Sequence, residues 1–149
     1  RWNDPEKGWV TVAADVRMSV EYAPLWKEEA AIPWKQRREE LLKRLWSDWN
    51  TLGWSTSSFQ EIPWPGEEEE AVGCQIEAYV SASDGSFDGM THYTEAFYIR
   101  KGGVEFLVEL SGKPEAAMSA RDAFYEMIES LRFAEDLPAG PTGADIFPF

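Results

Sequence analysis

The sequence predicts an α+β domain: an antiparallel meander sheet of about five to six strands with two amphipathic helices packed on it. Three observations predict it. Apolar and polar residues alternate in several separate stretches, the period of a half-buried strand. Two longer stretches carry their apolar residues at helical spacing instead. The links between the later extended stretches are hairpin-length, and short links impose antiparallel pairing.

The first alternating run is Val10, Val12, Ala14, Val16, Met18, Val20 and Tyr22, with Thr11, Asp15, Arg17, Ser19 and Glu21 between them. It is long for one strand, so a bend or turn is expected at Ala13-Ala14-Asp15. Pro24 and Pro33 bracket an irregular link. Trp34 to Leu52 reads as a helix, because Trp34, Leu41, Leu45, Trp49 and Leu52 share one face. Glu39–Lys43 and Glu40–Arg44 support it as i,i+4 pairs, and Gly53 is its stop. Arg38 falls inside the apolar stripe, where a snorkelling rim position is the plain reading and an anion or partner contact the sharper one.

Ser55 to Ile62 is the next strand, ended by Pro63-Trp64-Pro65-Gly66, and Glu67 to Glu70 form an acidic loop. Cys74, Ile76, Ala78, Val80 and Ala82 alternate with Gln75, Glu77, Tyr79 and Ser81 as a further strand. Asp84 to Gly89 is turn-rich, and Thr91 to Arg100 is extended. Lys101-Gly102-Gly103 signals a tight hairpin into the row Val104, Phe106, Val108 and Leu110. Pro114 to Leu131 is the second helix. Ala117, Phe124, Ile128 and Leu131 lie on one face, and Arg121 and Tyr125 on its flank. Ser119–Asp122 resembles a capping box, so a later start is the alternative. Alternating strands lead us to expect one covered sheet face and one wetter face. Residues 1–133 make a single domain, and 134–149, with Pro138, Gly140, Pro141, Gly143 and Pro148, a C-terminal tail.

The chain has 149 residues and a formal charge of −13, from 14 basic and 27 acidic groups. A phosphate backbone repels such a surface, so no nucleic-acid partner is expected. The 44% apolar content excludes wholesale disorder. No apolar run approaches the ~20 residues of a transmembrane helix. With one Cys (Cys74) and one His (His92), an internal disulfide and a Cys-rich zinc site are excluded. A Ser–His–Asp arrangement could use only His92, and a strand His beside a turn is more often structural. Cys74 sits on an inward row with acidic neighbours nearby, which opposes a reactive thiolate. The chain begins at Arg1 rather than Met, which fits a removed signal or lipid anchor and thus membrane proximity.

The order of elements resembles the PsbP-like α/β sandwich of photosystem accessory proteins and bacterial lipoproteins such as DcrB. The likeness runs from Gly8 to Phe133. It is carried by Lys7-Gly8-Trp9, by the helix after the first strand, and by two stretches near the end. These are Tyr98-Ile99-Arg100-Lys101-Gly102-Gly103-Val104-Glu105-Phe106-Leu107-Val108 and Phe124-Tyr125-Glu126-Met127-Ile128-Glu129-Ser130-Leu131-Arg132-Phe133. The glutamate block and the Trp-rich first helix depart from the family pattern. The resemblance implies a non-enzymatic accessory or binding role and a periplasmic or otherwise extracytoplasmic location, and transfers no functional residue.

The sharpest local motif is Asp84-Gly85-Ser86-Phe87-Asp88-Gly89-Met90-Thr91-His92-Tyr93-Thr94-Glu95, which fits a twelve-residue Ca²⁺ loop. Its ligands would be Asp84, Ser86, Asp88, the Met90 carbonyl and Glu95. A plain β-turn explains the same residues, because both flanks alternate like strands. Ca²⁺ is the one candidate cofactor. Glu67–Glu70 reads as a solvated loop that would steer basic partners, especially if it lay near Asp84. Trp46 and Trp64 are the candidate surface anchors, and Ile146, Phe147 and Phe149 supply three more apolar groups. The expected function is a non-catalytic accessory or binding domain that docks on a partner protein or larger complex through these residues. The alternative is a Ca²⁺ module centred on Asp84–Glu95.

Overall fold

Hairpin-length links and alternating strands build one antiparallel sheet. The structure, a computed structural model, describes residues 10–13, 15–51, 53–81 and 87–133; for 10–13, 81 and 87–90 it describes the backbone only. The elements are β1 (Val10–Ala13), β2 (Val16–Pro24), α1 (Lys27–Ala30), α2 (Trp34–Asp48), β3 (Trp54–Ile62), β4 (Ala71–Ser81), β5 (Phe87–Lys101), β6 (Val104–Gly112) and α3 (Pro114–Ser130). The six strands lie in the order β1-β2-β6-β5-β4-β3, and every neighbouring pair is antiparallel. β3 to β6 form the meander, and β2 closes onto β6.

Each face of the sheet carries one helix. On one face Ala117, Ala120, Phe124 and Ile128 of α3 meet Val16, Met18, Phe97, Ile99, Val108 and Leu110. On the other, Leu41 and Leu45 of α2 meet Val72, Cys74, Ile76, Ala96 and Tyr98. Successive residues of β5 thus serve opposite cores, as the strand period requires. This corrects the expectation of one covered and one wetter face: an intervening helix in each half of the chain supplies a cover for both.

Other expectations shift at their edges. The long alternating run breaks between Ala13 and Val16 into the β1–β2 hairpin, as the bend at Ala13-Ala14-Asp15 anticipates. The helix expected to reach Leu52 ends at Asp48. Asn50 ends it, donating from Nδ2 to the Trp46 carbonyl at 2.7 Å while Oδ1 accepts from the Thr56 N–H at 3.2 Å. α3 starts at Pro114, whose fixed φ suits a first helical position. Ser119 is no cap, since its hydroxyl donates to the Glu115 carbonyl one turn back. β5 begins at Phe87, inside the stretch expected to be a turn. The short α1 occupies the link read as irregular.

Candidate functional site

The loop between β3 and β4 is built by its own sequence. Pro63 and Pro65 cannot continue the ladder, so the chain leaves the sheet. Trp64 falls back on Phe97, with ring centroids 5.2 Å apart. Phe97 in turn packs against Gly73, where a Cβ would collide with its ring. The Trp64 indole N–H donates to Glu68 at 3.2 Å. Arg100 fixes the other end of the loop. Its guanidinium donates to both Glu70 oxygens at 3.0 and 3.1 Å and to the Ile32 carbonyl at 2.7 Å, and its plane lies over Trp34. The only basic residue between positions 51 and 100 is therefore spent on the last glutamate of the block.

Glu67, Glu68 and Glu69 are left around two clefts at this end of the sandwich. One of about 560 Å³ lies between Glu67–Glu70 and the β5–β6 hairpin, where Gly102 takes φ +59° to make the turn. The second, about 450 Å³, runs from Pro65 and Glu67 to Ile128, Leu131 and Phe133 at the end of α3. Lys101, Glu129 and Arg132 complete its rim. Phe133 packs on Phe106 at 4.6 Å. Tyr22, opposite Phe106 in the ladder, is 56% exposed, so an apolar shelf extends onto the sheet. The arrangement offers a shallow apolar floor with a fixed, mainly acidic rim, suited to side-chain recognition.

The expected anchors separate. Trp46 is exposed on α2, edge-on to Phe59 at 5.4 Å. It lies on the opposite face from Trp64 and about 18 Å along the helix from Trp34. Trp64 is half-buried and covers the α3 core, which corrects its reading as a free surface anchor: the prolines aim it inward. Ile146, Phe147 and Phe149 lie outside the described residues.

The Ca²⁺ motif is also redistributed. Asp84 and Ser86 lie outside the described residues, as do the side chains of Asp88 and Met90. Glu95 corrects the twelve-residue reading. Phe87 to Lys101 is one strand, which puts Glu95 roughly 23 Å from Asp88 instead of folding it back. Its buried carboxylate accepts from Arg121 at 2.9 Å and from the Tyr125 hydroxyl at 2.6 Å. Burial, with Glu95 beside it, pushes the Tyr125 phenol up to about 12, and the hydrogen bond to Glu95 raises Arg121. Among the described residues, no group of acidic, His or Cys side chains is placed to hold a metal. The glutamate block precedes Ala71, roughly 33 Å from the Ser81 end of the eleven-residue β4.

His92 sits between the end of α2 and the sheet. It stacks on Trp49 at 4.7 Å and meets Trp54 edge-on at 5.8 Å. Its Nε2 lies 2.5 Å from Ser111 Oγ, which is also 3.3 Å from Thr94 Oγ1. Burial, helped by Arg17, pushes the imidazole down to about 4, so it is neutral at pH 7, and its tautomer sets which of His92 and Ser111 donates. A general base needs a pKa near the working pH and reach to a substrate. His92 lacks the first, and the Ser111 hydroxyl is buried. Cys74 is fully buried, and burial pushes its thiol up to about 11.

The polar group that locks α2 was missed in the sequence. Arg37 donates to both Glu105 oxygens at 2.9 Å, with both side chains buried. Arg44 approaches the same carboxylate at 3.5 Å. Arg38, the residue singled out, takes the rim and pairs with Glu61. The available signal was spacing: Arg37 stands one turn before Leu41 and three residues after Trp34.

No protein-family model matches the chain, and no curated protein matches it. Solved structures do. A Pseudomonas aeruginosa protein of unknown function, PA94, described as a candidate regulator, aligns at TM-score 0.55 and 10% identity over 89% of this chain and 86% of that one. The cyanobacterial PsbP (CyanoP) of Synechocystis sp. PCC 6803 aligns at TM-score 0.47 and 12% identity over 89% of this chain and 91% of that one. The α+β sandwich is shared with the Pseudomonas protein. No helix of the described residues is long and apolar enough to cross a membrane.

Proposed function

We propose that this chain is a non-catalytic binding domain that docks a partner protein through the end of the sandwich made by the glutamate loop, the β5–β6 hairpin and the end of α3. The observation that carries the reading is the second cleft: apolar Pro65, Leu131 and Phe133 beside Glu67, Glu68 and Glu129, with Lys101 and Arg132 completing the rim. Its loop is held by Trp64 and Arg100, so little ordering entropy is lost on binding. The partner segment that fits carries large apolar side chains flanked by Lys or Arg. Charge on the rim sets orientation and association rate, while burial of the floor supplies affinity. Trp46, on the far face, is a second contact for a larger complex. An extracytoplasmic setting belongs to the same proposal and is supported by the sequence resemblance alone.

The test is isolation of the full chain from its native source under mild conditions, with mass spectrometry of what travels with it. A stoichiometric partner retained by the unaltered chain and lost by Glu67→Lys/Glu68→Lys, at unchanged thermal midpoint, is the expected result. Equal retention by the double variant removes this end of the molecule as the docking site.

A further inference from the structure

The sheet is open along β3, which pairs with β4 on one side and with no strand of the described residues on the other. Such an edge presents a row of N–H and C=O groups that can template another strand. The chain closes the upstream half of the row itself. The Trp54 N–H donates to the Thr51 carbonyl at 3.0 Å, and the Thr56 N–H to Asn50 Oδ1 at 3.2 Å. Main-chain direction alternates along a strand, and the β3–β4 register shifts between Thr56 and Ser58. Beyond that bulge Ser58, Gln60 and Ile62 face β4, so the N–H and C=O of Phe59 and Glu61 point outward until Pro63 ends the row.

We propose that this open half-edge pairs antiparallel with the same segment of a second copy of the chain, across a two-fold axis at Gln60. In that register Phe59 lies opposite Glu61 of the second copy, and the outward N–H and C=O groups of both residues are satisfied in both chains. Charge favours a second copy here. Trp49 to Gln60 is the longest uncharged stretch in a chain of net charge −13, so two copies repel least along it. Glu61, the charge nearest the axis, is already paired with Arg38. The side chains also complement themselves. Phe59 stands edge-on to exposed Trp46 on the α2 face, and exposed Gln60 lies on the other. A strand that fits needs an apolar row on the first face and a neutral polar row on the second, which is the pattern of β3 itself. The two Phe59 rings become diagonal neighbours, and the two Gln60 side chains meet at the axis. A seam this short falls below the ~1,200 Å² of a standard interface, so the dimer is weak, with a Kd of roughly 10–100 μM.

The test is sedimentation equilibrium of the full chain at concentrations bracketing that Kd, in low and high salt. The expected result is a monomer–dimer equilibrium whose Kd falls severalfold as salt screens the like charges. A monomer throughout, or a Kd that rises with salt, overturns the proposal. Glu61→Pro removes an outward N–H in phase with Pro63 and leaves the ladder to β4 intact, so it should raise the Kd at least about tenfold at unchanged thermal midpoint. Glu61→Gln keeps that N–H and should keep the dimer. A dimer retained by the proline variant, or lost equally in both, overturns the pairing. The register has its own readout. Gln60→Cys sets two thiols at the axis with Cα atoms about 4.5 Å apart, within disulfide range. It should cross-link under mild oxidation, while Ser55→Cys in the closed half should not, and buried Cys74 stays out of the reaction. Equal cross-linking of the two variants, or none, overturns the proposal. This readout needs no proline, so it decides the matter even where Glu61→Pro fails to fold.

Discussion

Under α3, Phe97, Ile99, Val108, Leu110 and Phe124 form a continuous apolar core, and Glu95 joins it with both oxygens satisfied by Arg121 and Tyr125. Under α2, the apolar cluster is smaller, and the rest of that face is polar. It holds the buried Arg37–Glu105 pair, the His92–Ser111–Thr94 string and Glu109 beside Arg17 at 3.8 Å. Helix α3 is held by area. Helix α2 is held in good part by directed contacts, which position it but contribute less net stability once their desolvation is counted. The comparison teaches that equal burial does not mean equal dependence on pH.

The largest effect expected is Phe124→Ala, which opens a cavity in the α3 core and costs about 4 kcal/mol. Leu45→Ala under α2 should cost about 3 kcal/mol, because the shorter cluster has fewer neighbours to leave unfilled. Urea unfolding of both variants measures the difference, and a larger loss for Leu45→Ala would reverse the ranking of the two faces.

Next comes Arg37→Met. It strands the buried Glu105 with only the longer Arg44 contact, and should cost about 3 kcal/mol. Adding Glu105→Leu should restore most of that loss. If the double variant is as unstable as the single one, the pair contributes net stability and not only placement.

The pH dependence sharpens the contrast, since two groups on the α2 face, His92 and Glu109, are displaced in opposite directions between acid and neutral pH. His92 is pushed down to about 4 from its ordinary 6.5, mainly by burial. Its contribution is complete above pH 6.5 and is lost as pH falls toward 4. Burial pushes Glu109 up to about 7 from 4.5. Its contribution is complete below pH 4.5 and is lost as pH rises toward 7. The two slopes, each at most about 1.4 kcal/mol per pH unit, offset one another between pH 4.5 and 6.5. Glu109→Gln should therefore unmask a stability that falls on acidification, and His92→Gln one that rises. Guanidinium midpoints at half-unit pH steps read both, and identical profiles in the two variants would contradict the assignment.

The smallest effect is Asn50→Ala. It leaves the Trp46 carbonyl with only the Trp49 N–H and frees the Thr56 N–H at the start of the edge strand, for a loss of about 1 kcal/mol. Amide exchange at Thr56 should quicken while amides in β5 keep their protection.

Which parts were legible follows from the range of the forces. Alternation along Cys74–Ala82 and Val104–Leu110, helical spacing in Trp34–Trp49 and Ala117–Ile128, and the Lys101-Gly102-Gly103 turn are local properties. Local sterics and the in–out period therefore predicted these elements and their antiparallel order. Glu95 was misread because a twelve-residue pattern says nothing about whether its chain is bent or extended. Trp64 was misread because proline marks a departure from the sheet and not its direction. The choice of Arg38 over Arg37 turned on an angle along one helix, where only the position of Glu105, 68 residues away, decides which guanidinium is buried.

By itself, then, the sequence determined an α+β meander, two amphipathic helices, a net acidic surface and the absence of a Cys-rich metal site. Tertiary structure alone decided that the helices take opposite faces and that Arg100 ties down Glu70. It also decided that the glutamate loop meets the end of α3. The physical reason is that alternation specifies two faces without saying what covers each. Pairing between charges far apart in the chain becomes favourable only after the sheet has brought them together and excluded water.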